Sequence, residues 1–280
     1  MAHITNSDIL PLTFNVDMLS IFSGPGFSLS DLENINFEPF SNINIGMDVN
    51  NEPDNFLNYT REPSIPKSQY VINDNSEFPI NTNCLCIGNW NCRSIPLRLD
   101  TLIDELSHYN ISLDIFVLCE TRLNEEIAHL WSWTHYTMLN QYRNRDGGGV
   151  TLYIKNNFKP LKINTLSFIE TDIEIISAEI TTDGGKCLVT SIYRPPSGKV
   201  NIFINKLEEI LISAKDNYKH IYIAGDFNID MLKNDNNSSE LMNLMSSFFC
   251  YPVVTKPTRV TDETATLIDH LWTTILFSVM

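Results

Sequence analysis

From residue 84 onward, short apolar runs recur between turn residues and alternate between strand and helix spacing, which limits the chain to a mixed α and β architecture. Residues 84–90 and 114–119 are apolar runs of strand type. Between them, 98–109 places Leu99, Leu102, Ile103 and Leu106 on one helical face. Residues 136–140 and 148–154 are expected as strands around a turn rich in Arg, Asp and Gly. Residues 173–180 and 186–193 flank Thr182-Asp183-Gly184-Gly185, a hairpin signal because glycine permits positive φ. Pro195-Pro196 ends the second of these strands. A helix over 200–213 then presents Ile204, Leu207, Ile210 and Leu211 together. A strand ending at Asp226, a helix around 240–249 and a strand over 266–273 complete the series, with 233–238 expected as a solvated loop. Hairpins mixed with βα units predict an α/β (α+β) sandwich whose helices cover sheets, rather than a purely parallel doubly wound sheet.

Residues 1–83 have a different composition. They hold eleven acidic against two basic residues and fourteen Asn, with only short apolar clusters, so they are expected to be mostly disordered. Residues 84–280 hold the apolar periodicity and form one expected globular domain. All six cysteines fall there and none makes a C-x-x-C pair, which favours free thiols over disulfides or zinc. No basic segment followed by an apolar stretch opens the chain, and no run is long enough to span a membrane, so an intracellular protein, nuclear or cytoplasmic and not secreted, is expected.

The segment Ile221–Asp230 ends a β-branched run on Gly225 and then offers Asp226 and Asn228. In extended geometry these two side chains would point one way and Phe227 the other. A carboxylate acceptor beside an amide donor suits phosphate chemistry, and an Asx turn closing the strand is the alternative. Other strand ends carry polar residues as well. Asn91 closes the first run, where a turn or cap role is the alternative. Glu120 closes the second, either as an acid in a helix first turn or as a metal ligand. Tyr193-Arg194 precedes the prolines, with Tyr193 also readable as an amphipathic core residue; Asp269 sits beside His270, readable as a surface pair.

The ordered series Asn, Glu, Tyr, Asp-x-Asn, Asp resembles the endonuclease/exonuclease/phosphatase superfamily with its DNase I-like fold. Within it, the series is most similar to the endonuclease domain of LINE-type, non-LTR retrotransposons. The strings that carry this are NWNCRS (89–94), VLCETRL (117–123), YRNRDGGGVTLYIK (142–155), SIYRPPSG (191–198), AGDFNID (224–230) and TLIDHLW (266–272). The resemblance implies a four-layer α/β/β/α sandwich over about 84–275. It implies Glu120 as principal ligand of Mg²⁺ (or Mn²⁺), with Asn91 at the metal or the scissile phosphate. Tyr193 would hydrogen-bond the phosphate, Asp226 would orient or deprotonate the attacking water, Asn228 would hold the phosphorane oxygens, and Asp269 would orient a histidine. Arg194 could meet a phosphate, and DNA is the implied partner.

In the family that histidine stands in a Ser-Asp-His motif further along. No histidine follows His270 in this sequence, and His270 on a strand would face away from Asp269. The last core strand or strands are therefore expected to be missing, and a DNA-nicking activity to be weak or lost. Net charge −15 also opposes tight DNA binding. A cluster of Arg143, Arg145, Lys155, Lys159 and Lys162 offsets it locally, although a solvated loop would carry such residues too. The rival readings are a phosphoesterase of the same fold acting on nucleotides or phosphoinositides, and a non-catalytic fold remnant.

Overall fold

A computed structural model describes residues 85–275 apart from 109–110, 144–146 and 261–262. The expectation for 1–83, and Cys84 and Arg145, lie outside the described residues. The strands, in chain order, are β1 (Ile87–Asn91), β2 (Ile115–Cys119), β3 (Tyr136–Gln141), β4 (Val150–Lys155), β5 (Leu161–Lys162), β6 (Phe168–Ile169) and β7 (Glu174–Thr182). They continue with β8 (Gly185–Tyr193), β9 (His220–Asp226), β10 (Tyr251–Pro252), β11 (Arg259–Val260), β12 (Ala265–Thr266) and β13 (Asp269–Thr273). Among the described residues four α-helices accompany them: α1 (Ile95–His108), α2 (Glu125–Ala128), α3 (Val200–Ala214) and α4 (Asn236–Ser247).

One sheet has the order β1-β2-β4-β3; a second runs β10-β13-β9-β8-β7-β5, with β6 also on β7. Three apolar clusters show how the layers stack. Ile87, Val117 and Leu152 of the first sheet meet Ile176, Val189 and Ala224 of the second. Behind the second sheet, Leu188 and Ile223 pack on Phe203 and Leu207 of α3 and Leu241 of α4. Behind the first, Phe116 and Tyr153 pack on Ile95, Leu99 and Leu102 of α1. The result is the expected α/β/β/α sandwich, built because each helix carries one apolar stripe and the central strands are apolar on both faces. None of the helices is long and apolar enough to cross a membrane among the described residues. The five described cysteines are free thiols.

Two local expectations change. The 233–238 stretch is not wholly a loop: α4 begins at Asn236, capped by Asp235, whose carboxylate accepts from Ser238 N–H at 2.9 Å while Ser238 reciprocates. The run 266–273 is not one strand. Thr266 pairs with β11, then Leu267 N–H turns to Asp230 Oδ1 at 2.9 Å before β13 starts at Asp269.

Candidate active site

Register assembles the polar strand ends. Glu174 of β7 lies opposite Tyr193 of β8, Tyr193 opposite Asp226 of β9, and Asp226 opposite Asp269 of β13. Residues opposite one another on a ladder project to the same face, so four polar side chains form one row across the second sheet. Tyr193 belongs to the cluster between the sheets, which sets the row facing the first sheet. Gly225 permits the approach at the centre of the row. It has φ +147°, and a Cβ there would overlap the Ile192 carbonyl of the neighbouring strand.

The first sheet supplies Asn91, the last residue of β1, and Glu120, just after β2 with φ +53°. Asn91 Nδ2 donates to Glu120 Oε1 at 2.7 Å and to Asp226 Oδ2 at 2.8 Å, so one amide ties the two carboxylates together across the sandwich. Tyr193 Oη donates to Glu120 Oε1 at 3.2 Å. Asn89, on the same strand, donates through Nδ2 to the Gly225 carbonyl at 3.3 Å, a further stitch between the sheets.

Electrostatics follow from this crowding. Burial raises the Asp226 carboxyl above the usual carboxylate range, and Glu120 adds to it, while bonds from Asn91 and the Asn228 N–H pull it down. Burial and the Asp226 charge likewise raise Asp269. Burial and the Glu120 carboxylate push the Tyr193 phenol up, so it remains a proton donor. A protonatable carboxylate beside a phenolic donor and a second carboxylate can accept a proton from water near neutral pH and hydrogen-bond a phosphate oxygen.

Asn228 does not share the extended geometry expected of it. The strand stops at Asp226, Asn228 adopts φ +49°, and its N–H returns to Asp226 Oδ1 at 2.9 Å in an Asx turn. Its Nδ2 donates to the Arg194 carbonyl at 2.8 Å. Phe227 does face the other way, against Phe203 with ring centroids 5.3 Å apart. Arg194, expected at a phosphate, is only 5% exposed and directs its guanidinium at backbone carbonyls.

His270 is a core residue. Trp272 Nε1–H donates to its Nδ1 at 3.4 Å, which leaves Nε2–H to donate to the Ile229 carbonyl at 3.0 Å. Burial holds its pKa down to about 4, so it is neutral. Among the described residues no histidine hydrogen-bonds Asp269, whose own N–H donates to Thr258 Oγ1 at 3.1 Å.

Glu174 was not singled out in the sequence. It is fully buried, accepts from Gly149 N–H at 2.5 Å and from Arg143 Nη1 at 3.1 Å. The glycine loop it holds accepts in turn from the segment after Glu120, Thr121 N–H on the Gly149 carbonyl at 3.1 Å and Arg122 N–H on that of Gly148 at 3.0 Å. A lone acid inside Ile173–Ile176 was the available signal. Beside Asn228 a cleft of about 510 Å³ opens, lined in part by Asp230, Lys233, Arg259 and Thr266.

Residues 88–276 match the model of the endonuclease/exonuclease/phosphatase family. The chain belongs to that family. Similar solved structures include the endonuclease domain of TRAS1, a telomere-specific non-LTR retrotransposon, at 12% identity and TM-score 0.53, covering 66% of this chain and 82% of that one. The Xenopus laevis APE2 catalytic domain is 16% identical with TM-score 0.49, over 67% of this chain and 81% of that one. The human Nocturnin catalytic domain, solved with bound sulfate, is 15% identical with TM-score 0.48, over 66% and 79%. At 12% identity the likeness to the TRAS1 domain shows the shared fold alone. None of the curated proteins compared matches significantly in sequence.

Proposed function

We propose that this family member is a Mg²⁺-dependent (or Mn²⁺-dependent) phosphodiesterase that nicks DNA, of the retrotransposon endonuclease type. The observation that carries the reading is the Asn91 amide, which joins Glu120 of one sheet to Asp226 of the other at 2.7 and 2.8 Å. Asp226 is then the proton acceptor for the attacking water. Tyr193 and Asn228 hydrogen-bond the phosphate oxygens, and Asp269 supports Asp226 from the next strand. The motif strings shared with LINE-type endonucleases support the DNA substrate, as does Lys233-Arg259 at the cleft beside Asn228.

The donors suit a hard cation. Both bonds of the Glu120 side chain end on Oε1, which leaves Oε2 for a ligand. No group of three His, Cys, Asp or Glu side chains converges among the described residues. Mg²⁺ fits such a site, because it commonly takes one or two protein oxygens and keeps water or phosphate for the rest. Glu120 and Asn91 would hold it, and when bound it would neutralise phosphate charge. Among the described residues no histidine hydrogen-bonds Asp269, so proton transfer is assigned to Asp226.

Supercoiled plasmid with Mg²⁺ tests the reading: relaxed circles should form, and Glu120→Ala or Asp226→Ala should reduce the rate at least ~100-fold. The charge of −15 favours one second reading, hydrolysis of a small soluble phosphodiester, since weak DNA affinity is no obstacle there. Turnover of bis(p-nitrophenyl) phosphate without nicking would select it, and absence of both would sink both.

A further inference from the structure

We propose that Arg194 is a positioning residue, a buried clamp that shapes the Asp226–Asn228 turn from behind rather than a contact to substrate. This rests on the phosphodiesterase reading of the site. The guanidinium is 5% exposed, and every one of its nitrogens finds a carbonyl. Nε donates to Phe227 O at 2.7 Å and Nη2 to Asn228 O at 2.6 Å, so two consecutive carbonyls of the turn are gripped by one planar fork. Nη1 donates to Gly198 O at 2.6 Å and to Pro195 O at 3.3 Å, which anchors the fork in the loop after β8.

The turn grips back. Asn228 Nδ2 donates to the Arg194 carbonyl at 2.8 Å, and Arg194 N–H donates to the Asp226 carbonyl at 2.9 Å. Asn228 sits at φ +49°, a left-handed region that asparagine enters more readily than other non-glycine residues but in which it is not fixed by its own preference. The clamp fixes it there, and the left-handed turn is what brings the Asn228 N–H onto Asp226 Oδ1. No ion pair joins Arg194 among the described residues. A buried guanidinium without a salt-bridge partner persists only where its donors are largely matched, and here every nitrogen donates and four of the five N–H groups are taken up. Lysine cannot replace such a fork, having one nitrogen to offer where four bonds are needed.

The experiment compares the full chain with Arg194→Lys. Amide hydrogen exchange at Phe227 and Asn228 should rise by about tenfold or more while the strands of both sheets keep their protection. In plasmid nicking, kcat should fall about 100-fold with little change in KM, as expected when a reacting group is misplaced. A phosphate contact would behave oppositely: KM would rise, the salt dependence of DNA binding would lose about one unit of slope, and exchange at Asn228 would stay as it was. That result would overturn the proposal, as would general unfolding with kcat per folded molecule unchanged. Gly198→Ala, whose Cβ would lie 3.0 Å from the Pro195 and Asp172 carbonyl oxygens, loosens the anchor without touching the charge and should give a smaller change of the same kind. If the wild-type chain neither nicks DNA nor hydrolyses a soluble diester, the functional reading fails, and exchange at Asn228 still decides the clamp.

Discussion

The two sheets hold their candidate-site residues by different means. On the second sheet Glu174, Tyr193, Asp226 and Asp269 stand in register on β7, β8, β9 and β13, and backbone pairing alone puts them in line. The first sheet contributes Asn91 at a strand end and Glu120 beyond one, in a segment where Glu120 and Arg122 both have φ +53°. Such a segment depends on tethers. Its amides lean on the Gly148 and Gly149 carbonyls, and that loop leans on Glu174. The sheet-borne half is thus set by pairing, and the loop-borne half by a relay of hydrogen bonds that begins on the sheet-borne row.

Breaking the row should have the largest effect. Gly225→Ala drives a Cβ into Ile192 at the β8–β9 pairing and should cost ~4 kcal/mol or prevent folding, read by urea unfolding. Breaking the relay should be milder in stability and specific in consequence. Glu174→Ala leaves the buried Gly149 N–H without its acceptor and should cost ~2 kcal/mol; Glu120 activity should fall while Asp226 keeps its Asn91 bond, checked by unfolding and by nicking.

A smaller effect runs in the stabilising direction. Asp269 is raised by burial and by Asp226 directly opposite. A carboxyl raised on folding contributes stability that is present below its ordinary pKa, ~3.9, and lost as pH rises through the folded value. Asp269→Asn should therefore raise stability by ~1 kcal/mol at pH 8 and leave it unchanged at pH 3.5, measured as paired thermal melts; an equal gain at both would refute the account in which burial and the Asp226 charge oppose ionisation of Asp269. Away from the site, Asp235→Ala removes the α4 cap and should cost ~1 kcal/mol with nicking unaffected.

Much of the scaffold was legible. α3 shows Ile204, Leu207, Ile210 and Leu211 at helical spacing, and all four are buried. The β7–β8 hairpin was visible in its Gly-Gly turn, and Asp226 in the glycine before it. One miss was local: Asp235 and Ser238 stand at capping-box spacing, but the Asn-rich stretch around them reads as a solvated loop. The other failures lie where partners are distant. Glu174 reads as an isolated acid because nothing near it in sequence says that Gly149 will be its donor. Arg194 could be placed at a strand end, but the direction of its side chain depends on carbonyls 33 and 34 residues away.

The sequence by itself determined the elements, the family strings and the polar residues that close the strands, because period, glycine and proline act locally. Tertiary structure alone decided that Asn91 would bridge Glu120 to Asp226, that Asn228 would leave the strand for a left-handed turn, that His270 would face the core, and that Arg194 would point inward. Each of these rests on strand register and on hydrogen bonds between distant segments, which come into being only when the two sheets pack.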